Sequence, residues 1–530
     1  MIRPIFPTNS APTRGTGRRA TSLDRLTPSW AALLAVVLLA SCAVLPSREL
    51  QKSSVTLEDT GSTALAIAAD KSLSASDANG FRLLPEPEAS LEALLALIQG
   101  ARRSLDLQYF ILNGDQSGVR ILAALRDASR SGVRVRLLVD DLNTDRSEAL
   151  LKGISGEEKV EVRLFNPLPG ARSSVGSRVA ASIGDISRVQ YRMHNKLLVA
   201  DNSFAILGGR NIGDEYLMRP EGNFLDMDML VAGPLVREMS ESFDDYWNSN
   251  QAYTGDLIWG PGHRWARKIA FDTEVKRLGY RNDAAAAGPG ALQTQLRAGR
   301  VPLHECHARF FADPVEKSVG VSQEDSSATL HERVIELLAS AKSDIYVVSP
   351  YYVRGIAGLR RLDSSRQRGI RVQVLTNSMA SSDEPVAQLV YARHRKTLVE
   401  LGVELHEFIP ASSLPRDSSP KLSAGRLHTK LAVVDHRFLY VGSLNFTNRS
   451  ERINTEHGVV LDCPVLAQAA LDVVERAAAY KVGTQPNGRD LQWVDASVSP
   501  PVVWNSEPHV SGWLRLEHFF LNLLIPEGEI

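Results

Sequence analysis

The chain has 530 residues, with 60 lysines and arginines against 61 aspartates and glutamates and a formal net charge of -1. Its 44% hydrophobic and 23% charged content exclude wholesale disorder, a collagen and a coiled coil, and the length allows two or three domains. Three cysteines cannot build a disulfide scaffold, and a pI near 6.9 leaves no field to gather polyanions, so no nucleic-acid partner is expected.

The one strongly apolar run is at the front. Arg3, Arg14, Arg18, Arg19 and Arg25 precede it, with Asp24 the single acid, and it extends from Trp30 to Ala40. That is the length of a signal-peptide core and too short to span a bilayer. Arg18-Arg19 is a poor twin-arginine match and reads as part of the basic region. Leu39-Ala40-Ser41-Cys42 resembles a bacterial lipobox. The resemblance implies cleavage after residue 41, acylation of Cys42, and a lipoprotein held on the periplasmic side of the inner or outer membrane. Ala43, not Asp, follows the cysteine, so the outer membrane stays open. The alternative is an inner-membrane protein facing the cytoplasm, with 30–40 as a partial anchor. Residues 42–80 are rich in Ser, Ala, Asp and Thr and read as a flexible tether.

The body repeats itself. A helical period over 91–100 leads into the strand-like Leu105-Asp-Leu-Gln-Tyr-Phe-Ile111, and 333–341 leads into Ile345-Tyr-Val-Val-Ser-Pro-Tyr351. Residues 132–139 match 369–376 at an offset of 237, 160–167 match 403–410 at 243, and 191–201 match 425–435 at 234. Matches in one order at nearly one offset indicate a duplicated α/β domain. Each half, 81–250 and 326–480, is expected to hold a mixed β-sheet flanked by helices. Residues 251–325 read as a linker region and 481–530 as a C-terminal tail.

The chemistry lies in the repeat. His194-x-Lys196-x4-Asp201 recurs as His428-x-Lys430-x4-Asp435. Gly208-Gly209-x-Asn211 and Gly442-Ser443-x-Asn445 follow, with each Asn 17 residues after its His. Residues two apart on a strand share a face, so each His projects with its Lys. One imidazole can attack phosphorus while the other protonates the leaving oxygen. Lys196, Lys430, Asn211 and Asn445 can hold the phosphoryl oxygens. The glycines are expected to let backbone approach the phosphate. Each imidazole needs a carboxylate to fix its tautomer: Glu456 is the candidate in the second half and Asp226 in the first, with Asp228 a rival.

The chain also carries Arg192-Met-His-Asn-Lys196, Gly208-Gly-Arg-Asn-Ile-Gly-Asp214, Leu375-Thr-Asn-Ser378, Tyr391-Ala-Arg-His-Arg-Lys396, Gly402-Val-Glu-Leu405 and Asn454-Thr-Glu456. With both HKD motifs intact, it resembles the phospholipase D superfamily, and within it the bacterial cardiolipin synthase C type, over roughly 81–530. The resemblance implies two homologous α/β domains with one active site at their pseudo-twofold interface. It implies a phosphohistidine intermediate with no metal and no cofactor, His194 as nucleophile and His428 as general acid, the reverse being open by symmetry. Asp201 and Asp435 read as structural buttresses. A lipobox is not typical of that branch, which leaves the physiological acceptor open.

The expected activity is phosphatidyl transfer onto phosphatidylglycerol, with phosphatidylethanolamine a second candidate substrate and the membrane surface a partner. The alternatives are headgroup hydrolysis by water and a non-catalytic lipid-anchored scaffold; two intact motifs argue against the scaffold. His304-Glu-Cys-His307 supplies too few ligands for a metal centre and reads as ordinary linker. Cys306 and Cys463 read first as buried free thiols, with a bridge left open by an oxidising compartment, and Asp140-Asp141 as a loop cap. The three bases within 391–396 read as a solvated face or, given the resemblance, as headgroup contacts. Residues 513–525 form an amphipathic segment, either docked on the domains or lying in the membrane.

Overall fold

The computed structural model describes residues 45–48, 51–170, 172, 174–182, 185–218, 222–279, 290–320, 329–353, 356–410, 413, 424–513 and 515–516. The leader at 1–41, Cys42 and most of the amphipathic segment at 513–525 lie outside the described residues.

The first half contributes β1 (Gly80–Leu84), β2 (Ser104–Tyr109), β3 (Arg134–Asp140), β4 (Val160–Phe165), β5 (Lys196–Ala200), β6 (Phe204–Gly208), β7 (Asn223–Leu225), β8 (Asp228–Ala232), β9 (Ala252–Thr254) and β10 (His304–Glu305). All but β7 form one sheet in the order β10-β1-β8-β6-β5-β2-β3-β4-β9. The second half contributes β11 (His307–Ala312), β12 (Asp344–Val348), β13 (Arg371–Asn377), β14 (Glu404–Phe408), β15 (Ala424–Leu427), β16 (Leu431–Val434), β17 (Phe438–Gly442), β18 (His457–Asp462), β19 (Ala479–Thr484), β20 (Leu491–Asp495) and β21 (Val502–Trp504). Without β15 these run β11-β18-β17-β16-β12-β13-β14-β19-β20-β21. From β1 to β9 and from β11 to β19 the two orders correspond strand for strand. In each, three parallel strands (β2-β3-β4 and β12-β13-β14) meet an antiparallel set at β5 or β16. This is the duplicated mixed α/β fold that the repeated segments require.

Local chemistry explains the pieces. Helix α1 (Ala64–Ser72) starts at Thr63, whose hydroxyl accepts from the Ala66 amide at 3.2 Å. Helix α2 (Pro87–Gly100) has Pro at its first turn and buries Leu91, Leu94, Leu97 and Ile98. Helix α3 (Gln116–Arg130), the crossover between β2 and β3, is capped by Asp115 and buries Val119, Leu122 and Leu125 at helical spacing. β5 is buried at every position, which is why it is an unbroken apolar run after its lysine.

Two further helices, α4 (Leu235–Asn248) and α5 (Pro464–Glu475), join the halves. One core cluster contains Leu197, Leu207 and Met229 of the first sheet, Leu431, Val441 and Val459 of the second, Phe243 and Trp247 of α4, and Leu466 and Leu471 of α5. The halves therefore share buried apolar surface and cannot separate without exposing it.

Four expectations are corrected here. The stretch read as a tether is docked from Arg48 onward. Arg48 donates to the side-chain oxygen of Asn250 at 2.8 Å and the Ser249 carbonyl at 2.6 Å, and Thr56 N donates to Asp244 at 2.7 Å. Leu65, Ala68 and Ala69 of α1 enter the first core. Small polar residues hid this, because the docking of 48–57 is made by scattered hydrogen bonds from side chains and backbone rather than by an apolar run. The linker region is built into both sheets as β9, β10 and β11, and the tail carries β20 and β21; these strands lie at or next to a sheet edge and have no long apolar run to announce them. Cys306 and Cys463 are disulfide-bonded, with Cα atoms 5.5 Å apart. The bases at 391–396 are not one solvated face: Arg395 is buried, paired with Glu407 at 2.8 Å and Glu507 at 2.7 Å, and the Tyr391 hydroxyl donates to Glu407 at 2.7 Å.

Candidate active site

Each His-x-Lys segment leaves its own sheet and pairs with the other half. Met193 bridges Thr455 in parallel, and the His194 amide donates to the Thr455 carbonyl at 2.9 Å. In mirror fashion β15 pairs in parallel with β7, and the His428 amide donates to the Leu225 carbonyl at 2.8 Å. Thr455 precedes Glu456 and Leu225 precedes Asp226, so each pairing delivers a carboxylate to the opposite histidine. His194 Nδ1 is 2.8 Å from Glu456 Oε2, and His428 Nδ1 is 2.6 Å from Asp226 Oδ2. The carboxylates are thus exchanged relative to the within-half pairing expected from spacing. The rival Asp228 belongs elsewhere: it pairs with Arg210 at 3.3 Å and accepts from Ser90 at 2.9 Å.

The two carboxylates are held differently. Glu456 accepts from the Ser443 hydroxyl at 2.5 Å and the Ser450 hydroxyl at 2.7 Å, and its amide donates to Asp313, which Lys317 pairs at 2.6 Å. Asp226 accepts from its neighbouring Met227 amide at 2.8 Å. Gly209 has a specific reason to be glycine, since a Cβ there would meet Asp226 Oδ1 at 2.2 Å. The close approach at this turn is therefore to the carboxylate, where a phosphate was expected. Ser443 stood in the motif only as a turn residue, and Asp313 and Lys317 carried no signal in the sequence.

Lys196 Nζ donates to the His194 carbonyl at 2.6 Å. Lys430 Nζ donates to the His428 carbonyl and lies 2.8 Å from His428 Nδ1. Asn211 Oδ1 accepts from the Ile111 amide at 3.2 Å, and the same side chain hydrogen-bonds Tyr216, so the amide is held in place on both sides. Asn445 is buried, and its Oδ1 has no partner among the described residues. Rings close the walls: Phe110 lies edge-on to His194 at 5.0 Å, and Tyr216 and Phe224 each lie 5.2 Å from His428.

Burial sets the protonation. It pushes His194 down to about 4 against the pull of Glu456, and His428 well below its ordinary value, with Lys430 adding to the fall. Burial also lowers Lys430 to about 8 and Lys196 well below its usual range. Burial acts to raise the Glu456 carboxyl, but His194, Lys196 and Ser443 outweigh it and hold it low; Asp226 stays raised by burial.

Asp201 and Asp435 point away from this chemistry. Asp201 accepts from the amides of Arg102, Arg103 and Ser104 at 2.7–3.0 Å, and Asp435 from those of Lys342, Ser343 and Asp344 at 2.8–3.1 Å. Asp140 caps its turn through the Leu142 amide and also accepts from the Met193 amide and Arg192, both at 3.0 Å, fixing the approach to His194. Cys306 of the His304–His307 cluster is in the disulfide. Among the described residues no three His, Cys, Asp or Glu side chains group around a common metal position.

A duplicated α/β fold that closes two His-x-Lys segments onto each other defines the phospholipase D class. The family model described as "Cardiolipin synthase, PLD-like domain" matches residues 94–247 and 334–477, and the chain belongs to that family of enzymes. It is 32% identical to cardiolipin synthase C of Escherichia coli over 447 residues, 81% of this chain and 92% of that protein. It is 25% identical to a cardiolipin synthase A of Pseudomonas fluorescens over 380 residues, covering 71% of this chain and 64% of that one. The crystal structure of phosphatidylserine synthase from Haemophilus influenzae shares the fold, with a TM-score of 0.53 at 14% identity, covering 84% of this chain and 93% of the other.

Proposed function

We propose that this chain is a phosphatidyltransferase of the cardiolipin synthase type, working without metal or cofactor. The observation that carries the reading is the crossed pair His194–Glu456 and His428–Asp226 at the junction of the repeats. With both Nδ1 atoms held, each ring offers Nε2 to substrate. His194 Nε2 attacks the phosphorus of a donor phospholipid, and Glu456 stabilises the imidazolium that forms. Lys196, Lys430 and the side-chain amides of Asn211 and Asn445 hold the phosphoryl oxygens as charge shifts. His428 protonates the departing headgroup oxygen. It then takes the proton from the hydroxyl of phosphatidylglycerol, which attacks the phosphohistidine and yields cardiolipin. Burial keeps His194 neutral and nucleophilic, and the incoming phosphate anion restores the proton of His428. Because lysine and amide donors already serve the phosphate, activity persists in EDTA.

The working place is the periplasmic side of a membrane, with the chain anchored through acylated Cys42. The Cys306–Cys463 disulfide supports an oxidising compartment.

Product analysis by mass spectrometry on mixed phospholipids, with and without phosphatidylglycerol, tests the reading. Cardiolipin that requires phosphatidylglycerol is the expected product; phosphatidic acid alone would establish hydrolysis instead. Either His194→Ala or His428→Ala removes nearly all turnover. Labelled phosphoenzyme is expected in rapid-quench work at His194, and label on neither histidine contradicts the mechanism.

A further inference from the structure

A cavity of about 790 Å³ lies at the opposite end of the first sheet from His194, where β2, β3 and β4 begin. One wall is the docked segment, with Lys52, Ser54 and Leu57; the other is formed by the strand starts and the residues just before them. Its charge is one-sided. Two of the lining arginines are neutralised: Arg136 by Asp106 and Asp244, both at 2.7 Å, and Arg103 by Asp59. Five more cations, Lys52, Arg102, Arg134, Lys159 and Arg264, line it with no acid in ion-pair contact among the described residues. Of the three lining acids, Glu161 is paired with Arg163 and Asp256 with Arg267, neither of which lines the cavity. Glu158 alone opposes the five.

Arg134 shows what this costs. Its Nη1 donates to the Val55 carbonyl at 2.7 Å, while Nε and Nη2 are shielded from solvent without a partner. A half-buried guanidinium with two unmet donors, beside like charges, is an incomplete arrangement. Those two donors face protein, but the fixed charge of Arg134 stands behind the open cations Lys52, Lys159 and Arg264, and a tetrahedral oxyanion can take N–H donors from several cations at once.

We propose that this cavity is a second, non-catalytic site for a phosphate-bearing anion, bound by Lys52, Lys159 and Arg264 with the charge of Arg134 beside them, and that its occupancy clamps the segment 51–57 to the domain. The ligand links the two walls: Lys52 belongs to the docked segment, Arg134 and Lys159 to the sheet. The neighbouring contacts of that segment, from Arg136 to the Ser54 carbonyl at 2.9 Å and from Arg163 to the Lys52 carbonyl at 2.6 Å, already hold it in register. A free phosphate and a lipid headgroup offer the same chemistry.

Backbone hydrogen exchange of the full chain tests this at the segment itself, apart from any phosphate bound between the histidines. Inorganic phosphate and phosphatidylglycerol vesicles are the two probes, with chloride at matched ionic strength as control. Exchange at 51–57 slows with at least one probe and not with chloride. Slowing by phosphate assigns a soluble anion; slowing by vesicles alone assigns a headgroup. Arg134→Gln weakens the half-maximal response about tenfold, the loss of one fixed cation beside the anion. Exposed Lys159→Glu does the same without touching the core, so a folding defect in the first variant leaves the test intact. In both, exchange near His194 still responds to phosphate. No slowing at 51–57 with either probe, equal slowing by chloride, or an unchanged response in Lys159→Glu overturns the site.

Discussion

Glu456 and Asp226 each serve a histidine of the other repeat, so every half-site is built from both halves. Removing the charge while keeping the shape separates orientation from packing. Glu456→Gln is expected to lower kcat by about a hundredfold or more, with KM changed far less, because the His194 imidazolium loses its counter-charge. Initial rates on phosphatidylglycerol vesicles check this, and a kcat within twofold of the parent contradicts the role. Ser443→Ala, which removes one of the hydroxyls on Glu456, costs about tenfold. The buried imidazoles also tie stability to pH. His194 is pushed down to about 4 and His457 to about 3, both by burial, from an ordinary 6.5. As pH falls from 6.5 toward 4, the unfolded chain takes up protons that the native state refuses. Stability is therefore lost on acidification through that window, by at most about 1.4 kcal/mol per pH unit for each group. Calorimetry on the free protein should show Tm falling from pH 7 to pH 5, and His457→Gln should flatten the slope. A Tm that holds constant between those pH values would count against neutral burial.

At the scale of elements, the aspartate of each motif makes a turn. Asp201 and Asn202 have φ of 47° and 50°, and Asp435 and His436 have 53° and 51°. They are the central residues of the turns Ala200–Ser203 and Val434–Arg437 in the three-residue loops joining β5 to β6 and β16 to β17, each closed by a 3.0 Å bond from the Ser203 or Arg437 amide to the Ala200 or Val434 carbonyl, and both are left-handed. Aspartate tolerates that conformation, and its carboxylate also gathers three amides at the start of the neighbouring strand. Asp201→Ala strands those amides and strains the turn, and is expected to destabilise by about 2–4 kcal/mol. The specific activity of the molecules that remain folded stays near the parent's; urea unfolding and activity per folded fraction check both halves of the statement. The same elements show what could be read in advance. Residues 132–139 and 369–376 were legible because they are buried central strands, with long apolar runs. β10, β20 and β21 were not, since these strands at or next to a sheet edge are short and partly or largely open to solvent. The histidine pair was legible from its repetition. The exchange of Glu456 and Asp226 was not, because spacing along the chain is blind to the β7–β15 pairing that brings them across.

For the molecule as a whole, the entry of the chain matters as much as its core. Arg48 docks on Ser249 and Asn250, and the neighbouring Gln51 side chain donates to the Ala252 carbonyl at 2.9 Å. Those contacts lie at the end of β4, where the Asn166 amide donates to the Gln251 carbonyl at 2.7 Å and the Asn166 side chain donates to the Tyr191 carbonyl at 2.8 Å, three residues before His194. Only six residue steps separate Cys42 from Arg48, at most about 20 Å of extended chain. An acyl group on Cys42 would therefore hold the end of the first sheet that carries His194 close to the bilayer. Among the described residues no helix is long and apolar enough to cross a membrane, so on this reading the acylated cysteine supplies the attachment. Metabolic labelling with a fatty acid should mark the wild-type chain, and Cys42→Ser should abolish the label and release the protein from membranes. Substrate turnover on vesicles should fall in Cys42→Ser, while turnover of detergent-dispersed lipid stays near the parent's, since the site itself is intact. A wild-type chain that takes no label, and that resists protease added to spheroplasts, would place it on the cytoplasmic face and refute the anchor.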